Sequence, residues 1–165
     1  MKKTIVVYGS STGSCQDVAE QIAKKLGVSD VKNVSEVDAD TLSGYDNLLL
    51  GTSTWGAGEL QDDWYDGVDA LKSADLSGKT IALFGCGDAE GYSDTFCGGM
   101  SEIYKTVKDS GAKLIGQVPA DSYTYDDSES VVDGKFVGLA IDVSESEEET
   151  EKRIDDWIDV IRPEL

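Results

Sequence analysis

The run Thr4-Ile5-Val6-Val7-Tyr8 is β-branched and aromatic, and it leads directly into a hydroxyl-rich turn, GSSTGS, and a helical repeat. A strand that is apolar on both faces has to be covered on both sides, which an isolated hairpin cannot do. Val18, Ile22 and Leu26 then recur every four residues, with Ala19 and Ala23 beside them. This spacing predicts a helix over Ser14–Leu26, stopped by Gly27.

The alternation continues along the chain. Further strands are expected at 31–34, at 47–50 closed by Gly51, and at 80–84 closed by Gly85. Leu60, Trp64, Val68 and Leu71 mark a second long helix. Met100, Ile103, Tyr104 and Val107 mark another, closed by Gly111. A fifth strand starts over 113–118, breaks across the polar, turn-rich stretch PADSYTYDDSESVVDGK (119–135), and resumes over 136–141. A last helix is expected over 144–161. Ser144 and Glu147 are spaced as its capping box, and Ile154, Trp157, Ile158 and Ile161 form its inner stripe.

Strands alternating with helices predict one α/β domain over residues 1–165, a doubly wound parallel sheet with helices on both faces. Ligands on such sheets bind beyond the carboxyl ends of the strands, where the strand order reverses. The segments 9–14, 51–59 and 85–99 follow strand carboxyl ends and are expected to meet in space. The first offers free helix-start N–H groups and four hydroxyls but no lysine or arginine, a donor set suited to a phosphate monoester. It lacks both the G-x-x-x-x-G-K-[ST] and the G-x-G-x-x-G pattern. Trp55 in the second segment, with Tyr92 and Phe96 in the third, suggests a slot for a flat ring.

Composition narrows the partners. The chain has 33 acidic and 14 basic residues, a net charge of -19, and no histidine. Such a surface repels nucleic acid and anionic lipid and attracts basic protein patches. Three cysteines, Cys15, Cys86 and Cys97, form no C-x-x-C pair, which argues for reduced thiols in a cytoplasm and against a transition-metal site. The opening apolar run is too short for a signal peptide, and no stretch approaches a membrane span.

At this point the chain resembles the flavodoxin family along its whole length. VVYGSSTGSCQDVAEQI looks like the family's FMN-phosphate signature. STWG followed by ELQDDW looks like its second flavin loop, and FGCGD with GYSDTFCGG like its third. The 119–135 insertion resembles that of long-chain members, whereas the cysteine pattern is similar to short-chain ones. The resemblance implies a five-stranded parallel sheet in the order 2-1-3-4-5, for which flavodoxins are a type example, with its last strand interrupted by the insertion. It implies noncovalent FMN and one-electron transfer between proteins, with no substrate reaction of its own.

Carried over residue by residue, Ser10, Ser11, Thr12, Gly13 and Ser14 would bind the phosphate. Trp55 would cover the inner face of the flavin ring and Tyr92 the outer face. Backbone groups of Thr54, Gly56 and Ala57, and of Gly87, Asp88 and Cys97, would bond the ring edge. Ser53, Cys86, Asp94 and Phe96 complete the expected set. Cys15 stands where the family usually has threonine, and a thiol there would weaken one phosphate hydrogen bond by about 1 kcal/mol.

The resemblance further implies that the peptide joining Gly56 to Ala57 turns its carbonyl towards flavin N5 on reduction. Glycine makes that turn easy. Glu59, Asp62, Asp63, Asp66, Asp88, Glu90 and Asp94 lie near the flavin loops in sequence and would lower the potential of the second electron. The protein would then shuttle between semiquinone and hydroquinone. It would dock transiently on reductases and electron acceptors with basic patches. A monomer is expected.

The alternative is an FMN-dependent quinone reductase on the same fold. A phospho-receiver domain is discounted, because Gly9-Ser10 and Gly51-Thr52 stand where it needs acidic residues. The insertion, with Tyr123, Tyr125, Asp126 and Asp127, reads as a passive cover of the sheet edge, or else as a partner surface.

Overall fold

The computed structural model describes residues 2–9, 14–55, 59–60, 63–88, 91, 96–123 and 125–165. In chain order the elements are β1 (Thr4–Gly9), α1 (Ser14–Leu26), β2 (Val31–Asn33), α2 (Ala39–Ser43), β3 (Asn47–Trp55) and β4 (Glu59–Leu60). Next come α3 (Trp64–Ser73), β5 (Thr80–Gly87), α4 (Gly99–Val107), β6 (Lys113–Ile115), β7 (Val118–Pro119), β8 (Val131–Val132), β9 (Lys135–Phe136), β10 (Leu139–Asp142) and α5 (Glu147–Ile161).

Parallel strands run in the order β2-β1-β3-β5-β10, with β6 also on β5. β6 pairs with the first half of β5, Ile81 opposite Leu114, and β10 with the second half, Cys86 opposite Ile141. These two short strands are therefore the halves of one fifth strand, split by the insertion. The order is 2-1-3-4-5, as the sequence led us to expect.

The period-two alternation of each strand sorts the core into two layers. Ile5, Val7, Leu48, Leu50, Ile81 and Leu83 face α3 and α4, where Trp64, Leu71, Met100, Ile103 and Val107 meet them. Val6, Leu49, Ala82 and Phe84 face α1 and α5, against Val18, Ile22, Ile154 and Trp157. Among the described residues, no helix is long and apolar enough to cross a membrane.

Several boundaries differ from those expected. β3 and β5 run past Gly51 and Gly85 rather than stopping there. These glycines make room: a Cβ on Gly51 would lie 2.0 Å from Phe84 Cε2, and one on Gly85 would lie 2.5 Å from Met100 Cγ. Leu60 is not the start of α3. It belongs to β4, which folds back antiparallel on the end of β3, opposite Thr54. The cap of α5 is Ser146, whose hydroxyl accepts from the Glu149 N–H. Ser144 instead donates its hydroxyl to Asp142 Oδ1 at 2.6 Å. α2 and a preceding 3-10 turn, Val34–Glu36, were not expected; Asp38 and Asn33 cap them through their side chains.

The insertion forms its own three-stranded antiparallel sheet, β7-β9-β8. Asp133 and Gly134, with φ of 54° and 79°, make the two-residue turn between β8 and β9. Tyr123 and Tyr125 are both half-buried, beside the exposed Asp126 and Asp127. The two tyrosine rings pack on Phe136 at 4.8 and 5.3 Å.

Candidate functional site

Four strands end on one edge of the sheet. Gly9 is opposite Thr52, Thr52 opposite Gly85, Ser53 opposite Cys86, and Gly87 opposite Asp142. The chain leaves β1 towards the α1–α5 face and leaves β3 towards the α3–α4 face. The strand order therefore reverses between β1 and β3, the place at which sheets of this kind bind ligands. The 13-residue helix α1 begins at this edge, directing its free N–H groups and the positive end of its dipole to the same place.

The charge around the edge is one-sided. Lysine and arginine are absent between Lys3 and Lys24, between Lys32 and Lys72, and between Lys79 and Lys105. None of the three edge segments therefore carries a cation. Any anionic group held here would be met by the amide dipoles at the start of α1, while Asp17, Asp63, Asp66 and Asp88 stand nearby in sequence. A cleft of about 400 Å³ between α1 and α5 reaches the strand ends at Cys86 and Ile141; it is also lined by Asp17, Glu145, Glu147 and Glu151, carboxylates that do not suit an anion.

The flavodoxin family model matches residues 6–157. The flavodoxin 1 of Azotobacter vinelandii is 44% identical over 171 aligned residues, covering all of this chain and 98% of that protein. The flavodoxin 1 of Escherichia coli K12 is 39% identical, covering 100% and 96%. This chain belongs to the flavodoxin family. Among solved structures, the Fusobacterium nucleatum flavodoxin bound to flavin mononucleotide superimposes with a TM-score of 0.91 at 32% identity, over 100% of this chain and 99% of that one.

Within this flavodoxin, eight of the expected site residues lie outside the described residues: Ser10, Ser11, Thr12, Gly13, Gly56, Ala57, Tyr92 and Asp94. Ser14 opens α1. Trp55 was expected outside any strand, but its backbone is the last of β3, paired with Glu59, and Thr54 pairs with Leu60. Ser53 ties the two central strands together, its hydroxyl donating to the Gly9 carbonyl at 3.4 Å. Asp88 shapes the start of the third loop by accepting from the Gly91 N–H at 3.0 Å.

Cys15, Cys86, Phe96 and Cys97 are each 3% exposed or less. The side chains of Cys15, Phe96 and Cys97 lie in the core, so what they can offer a ligand is backbone, whereas Cys86 also lines the cleft between α1 and α5. The Cys97 thiol lies 3.8 Å from the Gly85 carbonyl and 3.7 Å from that of Ile141. Burial pushes the Cys15 and Cys97 thiols well above the ordinary thiol range, with Cys86 adding to both, so they stay neutral. The Phe96 ring stacks on Tyr125 at 5.7 Å and meets Phe136 edge-on.

The sequence reading missed a set of insertion residues that bind the chain where the third segment returns to the fold. Ser128 and Ser130 donate their hydroxyls to the carbonyls of Phe96 and Cys97. The S-E-S spacing gives no hint of this, because both partners lie more than thirty positions away.

Proposed function

We propose that this flavodoxin carries electrons one at a time on noncovalently held FMN. The observation that supports this best is the sheet edge at which β1, β3 and β5 end and α1 begins, whose three loop segments carry no lysine or arginine in sequence. Its donor set fits a phosphate monoester. The F. nucleatum flavodoxin that superimposes on the whole chain binds the same molecule.

FMN, when bound, accepts and releases single electrons. Ser10, Ser11, Thr12, Gly13 and Ser14 would hold the phosphate through N–H groups and hydroxyls at the start of α1. Trp55 and Tyr92 would cover the two ring faces and keep water away. Backbone groups of Thr54, Gly56, Ala57, Gly87, Asp88 and Cys97 would fix the ring edge. The Gly56 carbonyl would serve as a hydrogen-bond acceptor at the N5 edge of the ring. Asp63, Asp66 and Asp88 disfavour further negative charge at the sheet edge. They also guide docking on reductases and acceptors with basic patches.

Stepwise anaerobic reduction of the FMN-loaded protein tests this reading. Two well-separated one-electron steps are expected, with no consumption of NADPH by the protein alone. A single two-electron step, or turnover of NADPH with a quinone, would overturn it.

A further inference from the structure

We propose that the 119–135 insertion positions the third cofactor loop, and that Ser128 and Ser130 are the residues that do so. This rests on the FMN reading above. A strand-edge cover needs only apolar contact. This segment instead directs two buried hydroxyls at one dipeptide: Ser128 (7% exposed) donates to the Phe96 carbonyl, and Ser130 (0% exposed) donates to the Cys97 carbonyl at 2.6 Å. The Phe96 N–H returns a bond to the Asp127 carbonyl at 3.2 Å.

The clamp is itself anchored. The Ser128 hydroxyl also accepts from the Ser130 N–H at 3.1 Å, and the Ser130 carbonyl accepts from the Val137 N–H at 2.9 Å. Tyr125 stacks on the Phe96 ring with an interplanar angle of 29°.

Phe96 and Cys97 are where the third loop, which starts at Asp88, returns to the fold. Cys97 has a φ of 51°, a left-handed conformation that a non-glycine residue keeps only when its surroundings hold it there. It also presses directly on the end of β5: a Cβ on Gly87 would lie 2.6 Å from the Cys97 nitrogen. The loop exit is thus wedged between β5 and the insertion. Its two carbonyls are taken up by the insertion serines. Ser128 and Ser130 thereby set the backbone at which the third loop returns to the fold.

The test compares Ser128→Ala, Ser130→Ala and Ser128→Thr with Thr4→Val. Thr4 is a buried hydroxyl near the amino end of β1 that accepts from Asn47 Nδ2 at 3.0 Å. FMN affinity, the visible spectrum of bound FMN and its two midpoint potentials are read alongside the urea midpoint. Each serine-to-alanine change is expected to weaken FMN binding about tenfold and to shift the spectrum or a potential. Ser128→Thr, which keeps the hydroxyl, should restore both. Thr4→Val should lower the urea midpoint and leave FMN affinity and potentials unchanged. Serine variants with wild-type affinity and potentials, or an equal loss of affinity in Thr4→Val, overturn the positioning role while the cofactor reading stands. A wild-type protein that binds no FMN overturns both. If Ser130→Ala does not fold, the Ser128 pair decides the matter alone.

Discussion

The indole Nε1 of Trp64 donates to the Gly51 carbonyl at 2.7 Å, from a side chain that is 1% exposed. It pins the first residue of α3 to the middle of β3, and the intervening chain has to travel out to Trp55 and back through β4. Trp64→Phe keeps most of the apolar volume and removes the donor. It is expected to lower stability by about 1–3 kcal/mol, read from the urea midpoint. A change of a few tenths would show that this pin is not needed.

Gly51 is required for space rather than for a turn. Gly51→Ala would place a methyl group inside the Phe84 ring contact and should cost about 1–3 kcal/mol or more. Phe84→Leu alone should also destabilise, but the double variant should lose less than the sum. Strict additivity in that cycle would contradict the steric account.

At high pH the buried protons become a liability. Burial raises the Cys15 and Cys97 thiols above 9.0, and it raises the Tyr123 phenol above 10.0 despite the Arg153 guanidinium 3.7 Å from its ring centroid. The unfolded chain loses these protons first. The stability they contribute is therefore complete below about pH 9 and falls as pH rises, by up to about 1.4 kcal/mol per unit for each group. Urea midpoints measured from pH 7 to 11 should decline from about pH 9, and Tyr123→Phe should flatten the part above 10. A flat profile would be inconsistent with protonated buried thiols.

Salt should raise the potential of the second electron. At about 12 Å and an effective dielectric of about 60, each carboxylate near the sheet edge opposes added negative charge by about 0.5 kcal/mol. Screening removes that opposition. A midpoint that stays constant between low and high ionic strength would reduce the acidic rim to a solvated surface.

The alternation of β-branched runs and four-residue repeats made the layering legible, and α1 is found over Ser14–Leu26 as expected. Strand ends were less legible, because Gly51 and Gly85 look like stops in sequence but are clearances for Phe84 and Met100 in space. The α5 cap was ambiguous for a definite reason: Ser144 with Glu147 and Ser146 with Glu149 both satisfy the same spacing, and Asp142 draws the first serine away. The hairpin in VVDGKF was readable from Asp133-Gly134 between paired apolar residues, yet the surrounding polar stretch hid it. At the site, Ser53 and the strand ends were placed by topology. The burial of Phe96 and Cys97 depends on the insertion folding over them, a long-range contact that no local pattern carries.

The central claim is that an FMN phosphate is held by uncharged amide and hydroxyl donors at the start of α1. Flavin fluorescence titrations of the apoprotein with FMN and with riboflavin, at low and high salt, address it directly. FMN should be quenched at one per chain and bind far more tightly than riboflavin. Its affinity should hold or rise with salt, because screening relieves the repulsion between the dianion and a chain of net charge -19. Equal binding of riboflavin, or an FMN affinity that falls steeply with salt as a cationic site would require, would contradict the claim.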